Sequence, residues 1–400
     1  MQELFDKLHF YSTTFFHKPK VEYQRAIFNK IDFSQKLIAL IGAKGVGKTT
    51  LLQQYYSMLI STDKNTIKEV LYISLDNPIL NDIKLLEIAE YFYQIGGKVL
   101  LIDEIHYQKG FEHDIKTSYD FFDLKIIFSG SSAIALDHAD LSRRAVIYHI
   151  PILSLREYLE LTLSLSLEDY SLDQIVKDHI EISFDINSKL KPLQYMSDYF
   201  THGAYPFFME GKEVYLFKLT EAINKVIESD LPLIQHIDHK NIVTLRKILV
   251  MLCESPPGEL NMASLSRDAA INIRTLYNYI FALNAGELIR VIGVKTKGRA
   301  KMNKPHKILL NNPNLFQVLC LSSNIGALRE SFFTSMLCSL PIKYVKTGDY
   351  IINNHYLFEI GGKNKDFSQI KGIPNSHLVL DNITTGGNRK IPLWLFGFLY

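Results

Sequence analysis

Residues 42–49 read Gly42-Ala43-Lys44-Gly45-Val46-Gly47-Lys48-Thr49, a full match to the phosphate-binding pattern G-x-x-x-x-G-K-[ST]. An apolar run, Lys36-Leu37-Ile38-Ala39-Leu40-Ile41, precedes it, and a helix-forming run, Thr49-Thr50-Leu51-Leu52-Gln53-Gln54-Tyr55-Tyr56, follows. Strand, glycine loop, helix is the context in which this motif has meaning. There, backbone N–H groups turn inward on phosphate oxygens, and the helix N-terminus adds its positive dipole end. The expected nucleotide-binding set is therefore Gly42, Ala43, Lys44, Gly45, Val46, Gly47, Lys48, Thr49 and Thr50. Lys48 reaches for the β- and γ-phosphates, and Thr49 for Mg²⁺.

A second pattern, Lys98-Val99-Leu100-Leu101-Ile102-Asp103-Glu104, is a buried strand ending in two carboxylates. In a doubly wound sheet the C-terminal strand ends converge on the ligand. Asp103 is expected to hold Mg²⁺ and Glu104 to orient or deprotonate the attacking water. The plain alternative is an apolar strand whose last residues are solvated acids. A third strand, Leu124-Lys125-Ile126-Ile127-Phe128-Ser129, turns abruptly small and polar at Gly130-Ser131-Ser132. Ser131 or Ser132 reads equally as a γ-phosphate sensor or as a serine N-cap. Arg143 and Arg144 in Leu141-Ser142-Arg143-Arg144 read as an arginine finger or sensor, or as a solvated pair. His106 stands close enough to contact water or phosphate, though such a residue more often packs below the site. His113, His149 and His202 lack ligand spacing and receive no role.

Taken together, Gly42 to Thr49, Leu101-Ile102-Asp103-Glu104-Ile105-His106, Phe128 to Ser132 and Leu141 to Arg144 resemble a family of prokaryotic AAA-like ATPases related to the STAND ATPases. The resemblance implies an α/β fold: a P-loop NTPase doubly wound parallel sheet, then a helical linker, a winged helix-turn-helix and a small α/β endonuclease-like domain. It implies ATP and Mg²⁺ as cofactors. No guanine-reading Asn-Lys-x-Asp follows the third strand.

Composition fits a globular chain of several domains: 400 residues, 47% hydrophobic and 12% aromatic, which excludes wholesale disorder. Cys253, Cys320 and Cys338 are far apart in sequence and are expected to form no disulfide framework, which favours a reducing cytoplasm. The start, Met1 to Lys7, lacks a signal-peptide pattern, and the closing run Ile391 to Tyr400 is too short to cross a bilayer. It reads as a final buried strand or helix, so no membrane partner is expected. Net charge is only +2, yet from Lys240 to Leu310 twelve Lys/Arg face four Asp/Glu, leaving the rest of the chain acidic. A basic module on an acidic body is the footprint of nucleic-acid contact.

The expected domains are an AAA-like core over 1–155, a helical lid and linker over 156–235, a winged helix-turn-helix over 236–312, and an endonuclease-like domain over 313–400, degenerate in its chemistry. In the third, Asn241 to Cys253 carries Ile242, Leu245, Ile248, Leu249 and Leu252 on one face, Met262 to Ser266 is a second helix, and Asn272 to Ile280 a third in the recognition position. Arg274 and Asn278, with Lys297, Arg299 and Lys301 on the wing, are candidate contacts to double-stranded DNA. A packing role with a solvated wing is the alternative. In the last domain Glu330, Asp349 and Glu359 follow the order of a metal-dependent nuclease core. Position 361, two beyond Glu359, is glycine, so the nearest lysine on that strand face is Lys363. Glu359, Lys363 and Lys365 read alternatively as a solvated turn. Partners thus include ATP, duplex DNA, and a partner protein or second copy; a nucleotide-gated DNA-binding regulator with little turnover, or an Mg²⁺-dependent nuclease, are the other functional readings.

Overall fold

A computed structural model describes residues 1–17, 22–62, 64–133, 141, 143–235, 237, 241–254, 261–294, 307–321 and 324–400. The chain divides into two compact units: Met1–Pro151 with Ser229–Ile237, and Ile152–Glu228 with Asp238–Tyr400.

The first unit is built on strands β1 (Leu37–Gly42), β2 (Val70–Ser74), β3 (Val99–Asp103), β4 (Lys125–Ser131) and β5 (Val146–His149). All pair in parallel, in the order β2-β3-β4-β1-β5. Parallel neighbours need crossovers. Helices α2 (Lys48–Thr62), α3 (Leu85–Gln94) and α4 (Phe111–Phe121) supply them, and α1 (Gln2–Phe16) packs beside β2. Coverage on both faces explains why β3 is buried at every position and reads as an unbroken apolar run. The edge strand β5 is only half-buried to exposed. One core cluster joins Phe5 and Leu8 of α1, Ile88 and Phe92 of α3, Ile115 of α4, and the inward residues of β1 to β4.

The second unit opens with helices α5 (Leu155–Leu163), α6 (Leu172–Lys189), α7 (Pro192–His202) and α8 (Lys212–Lys225). Ser154 and Ser171 start α5 and α6 with capping boxes closed by Glu157 and Gln174. Three further helices follow, α9 (Ile242–Glu254), α10 (Met262–Asp268) and α11 (Ile273–Ala285), then the antiparallel pair β6 (Ile289–Ile292) and β7 (Lys307–Leu310). Leu245, Ile248, Leu249 and Leu252 of α9 are buried as their spacing predicts, while Ile242 is half-buried. After α12 (Leu315–Leu319) and α13 (Ile325–Met336) comes a mixed sheet of order β12-β11-β10-β9-β8. Its strands are β8 (Ile342–Tyr344), β9 (Tyr350–Ile352), β10 (Tyr356–Gly361), β11 (Ser376–Leu380) and β12 (Lys390–Pro392). The closing run forms both elements that were alternatives: β12, then a buried 3-10 turn, Leu393–Phe398. There Phe396 packs on Phe333 and Phe358.

One buried amide ties this unit together. Asn314 donates to the Tyr199 carbonyl at 2.6 Å, and accepts from the Ala204 N–H at 2.7 Å and from the Tyr215 hydroxyl. Its neighbour Asn312 donates to the Tyr205 hydroxyl. The segment after β7 is thereby pinned to α7 and α8.

The cysteine expectation is corrected. Cys253 and Cys320 form a disulfide across 67 residues of sequence, because α9 packs on α12 and brings the ends of the two helices together. Cysteine spacing thus no longer argues for a reducing compartment. Among the described residues no helix is long and apolar enough to cross a membrane.

The core cluster carries a direct test. Phe92 is fully buried, so Phe92→Ala should cost about 3–5 kcal/mol. The expected readout is a lower urea midpoint by circular dichroism; an unshifted midpoint would remove Phe92 from the core that holds the sheet.

Candidate functional site

The sheet of the first unit sends the C-terminal ends of β1, β3 and β4 to one edge. The register pairs Gly42 with Ser131 and Ser74 with Asp103, which sets the phosphate loop beside the acidic strand end. Glycine is needed in the loop for two reasons. A Cβ on Gly42 would sit 2.5 Å from the Ile150 carbonyl oxygen. Gly45 and Gly47 have φ of 89° and 98°, where side chains are strained. Lys48 begins α2 and its ammonium donates to the Gly42 and Ala43 carbonyls at 2.8 and 3.0 Å. Arg25, which no local pattern marks, donates to the Val46 carbonyl at 3.0 Å and the Pro151 carbonyl at 2.8 Å, bracing the loop from behind. Thr50 follows in the first turn of α2.

Asp103 is buried at the end of β3. Its Oδ2 accepts from the Thr49 hydroxyl at 2.6 Å and the Tyr72 hydroxyl at 3.1 Å, and its Oδ1 accepts from Ser129. Burial pushes this carboxyl up from its ordinary range, and repulsion from Glu104 adds to that; the bonds from Ser129 and Thr49 pull the other way. Glu104 adopts a left-handed backbone, φ 53°, which aims its side chain away from the strand line. Its two oxygens face Lys44 Nζ at 3.6 Å and His106 Nδ1 at 3.5 Å. Sequence reading missed two parts of this edge, Ser129 and Tyr72. The period-2 alternation of β4 and β2 around Asp103 was the available signal.

Ser131 ends β4 beside Gly42, and Ser132 follows it in a turn. Ser131 Oγ accepts from the Ala133 N–H at 3.3 Å, whereas Ser132 Oγ is buried with no hydrogen-bond partner among the described residues. The two arginines separate: Arg143 is exposed, and Arg144 is clamped on Asp120 of α4 by two bonds of 2.9 Å.

The remaining candidates lie in the second unit. Arg274 and Asn278 are both exposed, one turn apart on α11. Lys297, Arg299 and Lys301 lie outside the described residues, as does Ser142. Glu330 on α13 and Glu359 on β10 are buried, and Asp349 stands just before β9. Lys363 is exposed; the lysine that meets Glu359 is Lys365, at 2.5 Å. The glycine at 361 makes this possible, since a Cβ there would lie 2.7 Å from the Lys365 side chain. A cation absent from the sequence pattern also sits here. Lys307 of β7, buried, pairs with Glu330 and lies 3.6 Å from Asp349. Burial raises the Glu330 carboxyl, and the Lys307 charge opposes that rise.

Comparison with known proteins agrees with the fold. Residues 34–159 match the AAA domain family, and residues 193–325 match a domain of unknown function (DUF8612). The chain is 31% identical over 290 residues to uncharacterized protein MJ1637 of Methanocaldococcus jannaschii, covering 68% of this chain and 60% of that one. It therefore spans about three-fifths of that relative's length. Similar solved structures include AMPPCP-bound DnaA from Aquifex aeolicus, at TM-score 0.26 and 16% identity over 64% of this chain and 84% of that chain. Another is the Aeropyrum pernix Orc1 protein in complex with DNA, at TM-score 0.31 and 10% identity over 76% and 88%. The first unit has a P-loop NTPase fold, and within it residues 34–159 match the AAA domain family.

The Asp103 environment predicts a stability effect. A carboxyl raised by folding contributes stability below its unfolded pKa, near 3.8, and loses it as pH rises through the folded value. Asp103→Asn should therefore melt higher than wild type at neutral pH, by about 2–4 °C per kcal/mol relieved. Thermal scans should show the gap closing in acid; a lower melting point at neutral pH would refute the assignment.

Proposed function

We propose that this chain is a Mg²⁺-dependent ATPase whose nucleotide state is coupled to a DNA-contacting winged-helix module. The observation that carries the reading is the Thr49 hydroxyl meeting the Asp103 carboxylate at 2.6 Å across the phosphate loop. That pair fits a hard cation: both donors are oxygens, and Mg²⁺ takes one or two protein oxygens plus phosphates and water. Bound there, Mg²⁺ would supply charge neutralisation at the β- and γ-phosphate oxygens. Lys48 exchanges its bonds to Gly42 and Ala43 for phosphate oxygens, and the loop N–H groups surround the rest. Glu104 accepts the proton of the attacking water or orients it. Ser132 is the better placed sensor, Ser131 being engaged in its turn. Arg143 is the candidate arginine finger, since Arg144 is tied to Asp120. ATP rather than GTP rests on the family resemblance.

The DNA-contacting part is the span 236–312. Three helices lead into an antiparallel strand pair, the order of a winged helix-turn-helix. Arg274 and Asn278 would enter the major groove, and Lys297, Arg299 and Lys301, in the connection between β6 and β7, would lie on phosphates. The span 313–400 is read as endonuclease-like and inactive. Lys307 holds the place between Glu330 and Asp349 where a nuclease would put its metal.

Two measurements test this. Steady-state ATP hydrolysis, with and without duplex DNA, should fall about 10²–10⁴-fold in Glu104→Gln while ATP affinity survives. Hydrolysis that persists in Lys48→Ala would sink the loop assignment. In anisotropy titrations, Arg274→Ala should weaken duplex binding by about 1–3 kcal/mol. Unchanged affinity would leave α11 a packing helix.

A further inference from the structure

The AAA-type unit contains one segment drawn from far along the chain, Ser229–Ile237, and that segment delivers a carboxylate to the acidic strand end. Asp230 Oδ1 lies 3.5 Å from His106 Nε2, and Asp230 Oδ2 lies 4.0 Å from Lys44 Nζ. His106 and Lys44 are also the two groups that face Glu104. The four side chains therefore close a ring in which two carboxylates share one imidazole and one ammonium. The His106 and Asp230 side chains are each only 1% exposed, so their interaction is poorly screened. Lys44 comes from the phosphate loop itself, at 21% exposure, and Glu104 reaches the surface at 19%.

We infer that Asp230 is a positioning residue for Glu104, acting through His106 and Lys44. The inference rests on the reading of Glu104 as the water-activating carboxylate. With Asp230 charged, the imidazole and the ammonium are divided between two acids, and each Glu104 oxygen faces one partner at a loose 3.5–3.6 Å. Glu104 is aligned without being captured. Without the Asp230 charge, Lys44 and His106 have one carboxylate left and close on it. Glu104 is then withdrawn from water. No proton needs to reach Asp230 in this scheme; it sets geometry and shares charge.

Asp230→Asn keeps the shape and removes the charge. ATP turnover should fall about 10–100-fold, the range for a partner one contact removed from the chemistry. ATP affinity, measured with a fluorescent analogue, and the melting temperature should match wild type. That split between kcat and binding is one a merely structural loss does not produce. His106→Gln should lose turnover similarly, and His106→Gln with Asp230→Asn should lose less than the product of the two single losses, because both substitutions act on the same ring. Wild-type turnover in Asp230→Asn, or losses that multiply in the double variant, would overturn the inference alone, provided Glu104→Gln is inactive beside them. Turnover that survives Glu104→Gln would overturn the ATPase assignment of Glu104 and this inference with it.

Discussion

Burial opposes the charge on Asp103, and four donors hold it in place. Thr49 comes from the phosphate-loop helix, Tyr72 from β2, Ser129 from β4, and the fourth is the Glu104 N–H at 3.2 Å. One acceptor thus joins three strands and the helix that closes the loop. The arrangement depends on register: Ser74 beside Asp103, Gly42 beside Ser131. A one-residue slip of β3 would turn Asp103 to the opposite face of the sheet. The apolar runs that surround it are what make such a slip costly, and so they position a charge they do not touch.

Parts of this edge were legible in the sequence because their causes are local. The loop glycines reflect backbone angles and one close approach, both written at fixed spacing. The strands β1 to β4 show as continuous apolar runs because both faces are covered. Helices α9 to α11 show in the spacing of Leu245, Ile248, Leu249 and Leu252, and of Leu276 and Ile280. The illegible parts have partners far off in sequence. Arg25 bonds across 126 residues to Pro151, and Asp230 reaches His106 across a comparable span. No periodicity marks such residues. The cysteine expectation failed for the same reason: sequence separation says little about distance once two helices pack. Lys365 stood beside Glu359 only in the reading of a solvated turn, whereas Glu359 is buried and Lys365 pairs with it. At Gly361 the missing side chain is what admits a lysine from the following turn.

The second unit is held by polar groups as well as by its aromatic core. Asn314 and Asn312 are buried, hydrogen-bonded anchors that tie the segment after β7 to α7, α8 and the loop between them. Lys307 is different, a buried cation between two acids. Such groupings contribute little net stability but penalise any arrangement that separates them. Here the penalty fixes how β7 meets α13 and the strand that follows Asp349.

The first unit is not a contiguous stretch of chain. It is left at Pro151, rejoined at Ser229 and left again after Ile237. A fragment ending at residue 151 would keep the phosphate loop, Asp103 and Glu104 and still lack Asp230. Exchange of parts between related proteins through a single junction near residue 151 would carry over a nucleotide site missing one member of its charged ring.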